Sequence, residues 1–230
     1  MADRNELFLH EEVLLLALRD EKGTPAAGAM YTHAMGGAIL AELLIGKRVR
    51  MDAKKHKFIE LESSRRLGDP VLDECLVKVR DAKRRATAVT WVSRFTAMSN
   101  LHRVAQGLCR RKILRADEDT VLLLFKRKVY PEIDPGPERA IIESLRKAIF
   151  TDARDVDPRT VVLVSLAKSS NLLPIIFDKK ELKGRKDRLE KLINGDVTGK
   201  ATKEAIEAAQ AAAFMAAVII PAVVTTTVTS

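Results

Sequence analysis

The sequence predicts a mainly α fold, a compact single domain of eight or nine helices with two or three small β-hairpins. Apolar residues recur at helical spacing along most of the chain, whereas the alternation typical of strands is confined to short paired segments. No low-complexity linker divides the 230 residues, which are enough for one large core. We therefore expect one domain over residues 5–220 and a C-terminal tail over residues 221–230.

The first two helices are predicted near the N-terminus. Glu11–Arg19 carries acidic residues in its first turn, where they suit the positive end of the helix dipole. The second helix organises the chain and ends near Gly46, because glycine accepts the left-handed conformation that closes a last turn. Gly36 and Gly37 lie inside this helix and indicate a site of close packing.

A helix that leads into a two-stranded hairpin is predicted twice. In the first unit, the organising helix precedes the strands 48–52 and 58–62. In the second, the helix Leu101–Arg111 precedes a strand 113–116, an acidic turn 117–119 and a strand 120–130. The repetition is compatible with a tandem winged helix or with one helical domain that uses the same unit twice.

The remaining helices are predicted from caps and apolar faces. Asp69-Pro70 and Asp157-Pro158 each place a capping carboxylate before a first-turn proline. The run Val161–Leu166 is apolar on nearly all sides and belongs in the centre of a core. Further helices are expected over residues 138–150, 180–193 and 203–220; the apolar run 208–224 is interpreted as a buried helix, with a membrane-seeking tail as the alternative.

The composition favours anionic partners. The chain has 40 basic and 31 acidic side chains, a formal net charge of +9. Aromatic residues are only 4%, which argues against the stacking platforms that bind single-stranded nucleic acid. Cys75 and Cys109 are far apart in predicted helices and are interpreted as reduced core residues. The charged N-terminus indicates no signal peptide.

No catalytic, metal or cofactor site is predicted. His10 has no second histidine four residues later, so the zinc motif of a metalloprotease is absent from this helix. His33 and His102 have no evident triad partners, and no glycine-rich loop is suited to cradle a phosphate. We therefore expect a protein that is not an enzyme.

The second hairpin carries the sharpest local feature. Apolar residues are followed directly by cations, and this order suits an interface with an anionic bilayer. The residues predicted to contact a membrane or another subunit are Leu123, Leu124, Phe125, Lys126, Arg127 and Lys128. In the alternative interpretation the leucines pack on the core and the cations form a solvated strand edge.

The end of the preceding helix is a candidate phosphate site. Arg110, Arg111 and Lys112, together with Arg103, could form this site, and the arginines offer forked donors that match phosphate oxygens. The alternative is that the cations at the helix end only balance the helix dipole.

Taken in order, these landmarks resemble the Golgi phosphoprotein 3 / Vps seventy-four family, with this chain as a divergent or bacterial member. The similarity extends from Leu7 to about Ala217, and it depends on the order and spacing of the motifs. The matching segments are Glu11–Leu18 with Asp20–Gly23, Gly37–Leu44 with Gly46–Val49, Asp69–Glu74, Trp91-Val92, Ile113-Leu114 and Asp157–Thr160.

The resemblance implies a compact, mainly helical peripheral membrane protein. Eukaryotic members bind phosphatidylinositol 4-phosphate at Golgi membranes, and they retain glycosyltransferases by binding the cytosolic tails of those enzymes. We therefore expect an adaptor on the cytosolic face of a membrane, the Golgi in a eukaryote or the inner membrane in a bacterium. Its expected partners are an anionic membrane surface and such tails, not nucleic acid; homo-oligomerisation is left open.

The family's headgroup pocket uses a tryptophan and an arginine near the start of the organising helix, and two arginines in the helix before the second hairpin. At the first position this sequence has Ala26–Gly28 and Gly36-Gly37; near the second, the basic residues are Arg94 and Arg103. The predicted headgroup-binding residues are accordingly Arg94, Arg103, Arg110 and Arg111.

Two other functions are kept as alternatives. The first is a DNA-binding tandem winged helix, which is disfavoured because the segment 36–39 is too small and apolar to read base edges. The second is a lipid-independent scaffold that oligomerises through Leu123 and Phe125.

Overall fold

Ten helices and seven short strands make up the part of the chain that the structure describes. The computed structural model describes residues 6–19, 21–26, 30–52, 57–121 and 125–194. The helices are α1 Leu9–Ala17, α2 Tyr31–Ile45, α3 Pro70–Arg80, α4 Ala88–Met98, α5 Leu101–Arg110, α6 Gly136–Phe150, α7 Pro158–Ser169, α8 Leu173–Ile176, α9 Lys179–Gly184 and α10 Lys186–Asn194. The mainly helical fold class is confirmed.

The strands form three small antiparallel sheets. These are β1 Leu18–Arg19 with β2 Thr24–Pro25, then β3 Val49–Met51 with β4 Phe58–Leu61 and β5 Ala86–Thr87, and finally β6 Asp117–Val121 with β7 Phe125–Val129. The first predicted hairpin is confirmed with slightly shorter strands, and β5 adds a third strand to its sheet.

The second hairpin differs from its prediction. The acidic run Asp117–Asp119, expected as a turn, belongs to β6. The predicted strand 120–130 is divided between β6 and β7, and the segment 113–116 contributes only an isolated bridge between Leu114 and Glu132. Opposite charges on facing strands attract one another, and this cross-strand pairing outweighs the turn preference of the acidic residues.

Helix α2 is the centre of the core. Its residues Ala34–Leu44 are all buried, and it packs against α1, α3, α4 and α7. The approach to α4 is closest at Gly36, where an added Cβ would lie 2.7 Å from the Val92 carbonyl oxygen and 2.8 Å from the Thr96 nitrogen. The prediction that Gly36 serves close packing is confirmed. Residues Val161–Ala167 of α7 are buried as well, as the sequence predicted.

The two predicted Asp-Pro helix starts are confirmed, whereas the predicted first helix Glu11–Arg19 is shifted: it begins at Leu9 and ends at Ala17, because Leu18 and Arg19 pair with β2. The Asp69 carboxylate accepts hydrogen bonds from the Val71 and Leu72 nitrogens at 2.9 and 2.8 Å, with Pro70 in the first turn of α3. Asp157 accepts from the Thr160 nitrogen at 3.1 Å at the start of α7. In both cases a carboxylate satisfies helix donors that have no partner within the helix.

The predicted role of Gly46 is wrong, although the helix does end there. Gly46 has a φ of −72°, and the left-handed conformation falls on Lys47, with a φ of 54°. The Lys47 nitrogen donates to the Leu44 carbonyl at 3.0 Å, and the Arg48 nitrogen donates to the Leu43 carbonyl at 2.8 Å. This is a Schellman motif with lysine at the position that glycine usually occupies.

The C-terminal part has more helices than predicted. The segment 180–193, expected as one helix, is divided into α9 and α10 around Arg185. The Arg185 guanidinium donates to the Phe150 carbonyl at 2.7 Å and to Asp152 at 3.2 Å, which ties the junction to the end of α6. The predicted helix over residues 203–220 and the tail lie outside the described residues.

A buried ion-pair network joins three helices. Arg159 of α7 donates to the buried Glu42 of α2 at 2.5 Å and to the Leu7 carbonyl at 2.6 Å, and it lies 3.5 Å from Glu12 of α1. Glu42 also accepts from the Leu9 nitrogen at 2.8 Å. One cation thus serves two carboxylates. Burial raises the pKa of Glu12 to about 7; neighbouring glutamates add to this rise and Arg159 opposes it.

Both cysteines are free thiols, as predicted. Cys75 is buried in α3, and Cys109 is half-buried in α5. Burial raises the pKa of the Cys75 thiol to about 12, so that it stays protonated at neutral pH.

Candidate functional site

A cleft of about 450 Å³ opens at the foot of the second hairpin. Four parts of the chain form its walls: the segment Gly23–Pro25, the start of α2, the junction of α4 with α5, and β7. The cleft brings together side chains that are distant in sequence, and most of its polar groups are hydroxyls or cations. The hydroxyl-bearing lining residues are Thr24, Tyr31, Thr32, Thr96 and Ser99.

Gly23 fixes one wall of the cleft against the hairpin. Its φ is 58°, and an added Cβ would collide with the backbone of Tyr130 and Pro131. The Tyr130 nitrogen donates to the Gly23 carbonyl at 2.8 Å. This close approach needs glycine, and it joins the end of β7 to the turn between β1 and β2.

The start of α5 forms a second wall. Asn100 caps this helix, because its side chain accepts a hydrogen bond from the His102 nitrogen at 2.8 Å. Asn100, Leu101 and His102 all line the cleft, so the positive end of the helix dipole faces it. Helix N-termini in this position stabilise bound anions.

Two cations from β7 complete the site. Arg127 and Lys128 line the cleft, and both are exposed. The Arg127 guanidinium pairs with Asp119 across the hairpin at 2.6 Å, and in the register Lys128 lies opposite Glu118. Among the described residues that line the cleft, none is acidic. Its charge and its hydroxyls suit a phosphate-bearing ligand.

His102 is a further cleft residue. Its Nδ1 lies 3.0 Å from the hydroxyl of Tyr130, and the two ring centroids are 5.6 Å apart. Tyr130 is buried and its position is therefore fixed, so its hydroxyl fixes the orientation of the exposed imidazole. The sequence indicated no triad partner for His102, and the signal for a binding role was its place in the first turn of a helix, two residues after the capping Asn100.

Two of the predicted headgroup residues are used in structural ion pairs. Arg103 pairs with Glu74 of α3 at 2.6 Å and donates to the Pro70 carbonyl at 3.1 Å. Arg111 donates to the buried Glu11 of α1 at 3.2 Å. Both arginines hold α5 against neighbouring helices, and neither lines the cleft.

The other two predicted arginines are exposed and also lie away from the cleft lining. Arg94 of α4 is placed over the ring of Trp91, with 4.7 Å from its guanidinium carbon to the ring centroid. Arg110 is the last residue of α5. The structure thus does not assemble Arg94, Arg103, Arg110 and Arg111 at the cleft.

The hairpin prediction has a different outcome. Lys126, Arg127 and Lys128 are exposed on β7, and two of the three line the cleft. Phe125 is the first residue of β7, while Leu123 and Leu124 lie outside the described residues. Contact of this hairpin with a membrane or a subunit stays a prediction.

The interior of α2 has no room for a side chain at Gly36. The neighbouring atoms there belong to α4, and the backbone of Val92 and Thr96 occupies the space. Among the described residues that line the cleft, the cations come from β7.

Within the described ranges, no helix combines the length and apolar composition needed to cross a bilayer. The same ranges contain no group of three or more His, Cys, Asp and Glu side chains arranged to hold a metal ion.

The fold and the cleft define a class: a helical domain with small antiparallel sheets and a cationic cleft beside a hairpin. A family model described as "Golgi phosphoprotein 3 (GPP34)" matches residues 9–209. The chain belongs to this family, which links it to a Golgi-associated group of proteins. The predicted family is confirmed.

A curated relative agrees with this membership. The chain is 26% identical over 156 residues to the vacuolar protein sorting-associated protein 74 of Eremothecium gossypii. The match covers 59% of this chain and 46% of the relative, so the chain spans less than half the length of that protein.

Proposed function

We propose that this protein is a non-enzymatic peripheral membrane protein that binds phosphatidylinositol 4-phosphate or another anionic lipid. The observation that carries the proposal is the cleft of about 450 Å³, where Arg127, Lys128 and the start of α5 line a space and no described lining residue is acidic. A phosphate group in this cleft gains charge-assisted hydrogen bonds from the cations and the hydroxyls.

The charges of the hairpin favour a specific headgroup over general attraction to a surface. Asp117, Glu118 and Asp119 in β6 offset the three cations of β7. A hairpin without net charge gains little from an anionic bilayer as a whole. An exposed pair such as Arg127–Asp119 contributes only about 0.2–1 kcal/mol, so a phosphate readily replaces Asp119 as the partner of Arg127.

Family membership supports an adaptor role. We extend the proposal to the retention of membrane enzymes such as glycosyltransferases through their cytosolic tails, at the Golgi of a eukaryote or the inner membrane of a bacterium. The sorting role in the name of the fungal relative is in keeping with this. In the native host, loss of the protein is expected to displace tagged membrane enzymes from their compartment; an unchanged distribution would contradict the adaptor role.

The DNA-binding alternative is weaker on structural grounds. A recognition helix must present polar side chains to a groove. Helix α2 of the first unit is buried over Ala34–Leu44 and has no such face there.

Liposome co-sedimentation tests lipid binding. Vesicles of neutral lipid, of phosphatidylserine and of phosphatidylinositol 4-phosphate at matched charge are compared, with duplex DNA as a parallel ligand. We expect binding to the phosphoinositide above the charge-matched control, and loss of that excess in the double variant Arg127→Ala/Lys128→Ala. Lys147→Ala/Lys191→Ala removes two charges from exposed positions of α6 and α10 outside the cleft lining; it is the matched control and should bind nearly like the unmodified protein.

The other outcomes are equally informative. Equal binding to both anionic vesicles would mean general electrostatic attachment. Tight DNA binding without liposome binding would favour the winged-helix function. A concentration-dependent oligomer that binds neither ligand would favour the lipid-independent scaffold.

A further inference from the structure

Among the described residues that line the cleft, His102 contributes an imidazole, the side chain with which proteins gain and lose a charge in the physiological pH range. It follows the capping Asn100 at the start of α5, and its imidazole is exposed beside Arg127 and Lys128. Because Nδ1 is held 3.0 Å from the Tyr130 hydroxyl, Nε2 is the ring nitrogen left to contact a ligand.

The contact with Tyr130 is compatible with both charge states of the ring. A tyrosine hydroxyl donates to the Nδ1 of a neutral imidazole and accepts from the Nδ1–H of an imidazolium. Tyr130 is 2% exposed, and its nitrogen is bonded to the Gly23 carbonyl, so its position does not depend on the proton. His102 can therefore gain a proton without leaving the cleft.

The charged groups around His102 decide when that proton is favoured. Arg127 and Lys128 line the same cleft from β7, where Asp119 and Glu118 are their cross-strand neighbours. Tyr31 also lines the cleft, Tyr130 contacts the imidazole, and Arg103, one residue further along α5, pairs with Glu74. No described residue of the cleft lining is acidic, so a bound anion favours an added positive charge there. A phosphomonoester supplies up to two negative charges.

We propose that His102 takes up a proton when a phosphomonoester headgroup enters the cleft, so that lipid binding strengthens as the pH falls from 7.5 to 6. This inference rests on the proposed lipid-binding function and adds a regulatory property to the same site. The imidazolium acts as a third cation, with Nε2–H donating to a phosphate oxygen while Nδ1–H donates to Tyr130.

The test is co-sedimentation with phosphatidylinositol 4-phosphate vesicles from pH 6.0 to 8.0 at constant ionic strength. For the unmodified protein we expect affinity to rise by about threefold to tenfold between pH 7.5 and 6.0, since one linked proton permits at most tenfold per pH unit. His102→Gln should bind more weakly and without the rise, and its affinity should fall slightly toward pH 6.0 because the phosphomonoester itself gains a proton near that pH. His102→Arg should bind strongly over the whole range.

His33→Gln is the matched control. His33 of α2 is not part of the cleft lining, and its Nδ1 lies 3.4 Å from the hydroxyl of the lining residue Thr32. This variant should keep the pH dependence even if the loss of that contact changes the affinity at every pH. A second readout is the ring resonance of His102 in NMR spectra. Its titration midpoint should move to higher pH on addition of glycerophosphoinositol 4-phosphate.

The outcomes separate this inference from the proposed function. Phosphoinositide-selective binding with the same pH profile in the unmodified protein and in His102→Gln would overturn the inference and leave lipid binding intact. Binding no better than the charge-matched control at any pH would overturn both. The inference is supported if the increase in affinity at low pH is lost in His102→Gln and kept in His33→Gln.

Discussion

The two helix–hairpin units end their helices in the same way. After α2, Lys47 has a φ of 54°; after α5, Lys112 has a φ of 59°. In each unit the lysine nitrogen and the next nitrogen donate back to the last turn; in the second unit these bonds are Lys112 to Cys109 and Ile113 to Leu108, both at 3.0 Å. The local backbone solution is thus shared.

The units differ in what they bury. Helix α2 is buried over Ala34–Leu44, and its hairpin, which a third strand extends to a sheet, buries Val49, Met51 and Ile59. Helix α5 buries only Val104, Ala105 and Leu108, and its hairpin presents paired charges to solvent. The shared helix ending sets the direction in which the chain leaves the helix. The number of apolar faces on the helix and its hairpin decides whether the unit is buried in the core or stays at the surface.

The glycines of the two helices give the largest contrast. Gly36→Leu should destabilise the protein by about 4 kcal/mol or more, because the side chain meets the α4 backbone, which cannot move aside alone. At Gly107 of α5 an added Cβ would meet only Glu11 and Arg110 side-chain atoms, at 3.6 and 3.8 Å. Gly107→Ala should therefore stabilise by about 0.5–1 kcal/mol. Urea unfolding measures the change in the free energy of unfolding for both variants. A similar loss of stability at both positions would contradict the contrast.

One ion pair from each unit comes next: Glu42 of α2 with Arg159 of α7, and Asp119 with Arg127 within the second hairpin. Arg159→Met removes the partner of Glu42, whose side chain is 4% exposed, and should cost about 3 kcal/mol. Arg127→Met removes the pair with Asp119, in which both side chains are about half exposed, and should cost less than about 1 kcal/mol. Chemical denaturation measures the loss in the free energy of unfolding for each variant. Equal losses would mean that burial does not make the Arg159–Glu42 pair more important to stability than the Arg127–Asp119 pair.

Glu12 makes the buried network sensitive to pH. The unfolded carboxyl releases its proton near 4.5 and the folded one near 7, so this group's contribution to stability falls as the pH rises from 4.5 to 7 and stays low above. Glu12→Gln removes this effect and should stabilise the protein by about 2 kcal/mol at pH 8, with little change at pH 5.

The measurement is the free energy of unfolding at both pH values. Glu143→Gln, an exposed residue of α6, is the control and should leave the pH dependence unchanged. A Glu12→Gln variant with the pH dependence of the unmodified protein would show that Glu12 titrates normally in the folded state.

Local chemistry made much of the fold predictable. The caps Asp69 and Asp157, the buried run of α7 and the packing role of Gly36 each depend on a few neighbouring residues or on one helical face, and all are confirmed. The strand assignment of Asp117–Asp119 was not predictable in this way, because the attraction that places it comes from the facing strand.

The cleft shows the same limit. Arg103 and Arg111 read as free cations in sequence, but their partners Glu74 and Glu11 lie 29 and 100 positions away, and only the packing of α5 on α3 and α1 brings them together. The contact of His102 with Tyr130 spans 28 positions. Basic residues can be counted from the sequence. Which of them are available to a ligand is known only when the structure shows which are used in ion pairs.

The smallest predicted effect tests what the two units share. A lysine in the left-handed region carries a cost that glycine does not, so Lys112→Gly should stabilise the protein by about 0.5–1 kcal/mol despite the loss of a side chain. Lys47 has the same backbone geometry but also takes part in an interaction of its own, so Lys47→Gly should gain less stability.

Equilibrium unfolding at pH 7 measures these differences in stability. The control is Lys147→Gly, which lies in the right-handed last turn of α6 and should lose stability. If Lys112→Gly destabilised the protein as much as Lys147→Gly, the left-handed residue after α5 would not carry the cost that the shared motif implies.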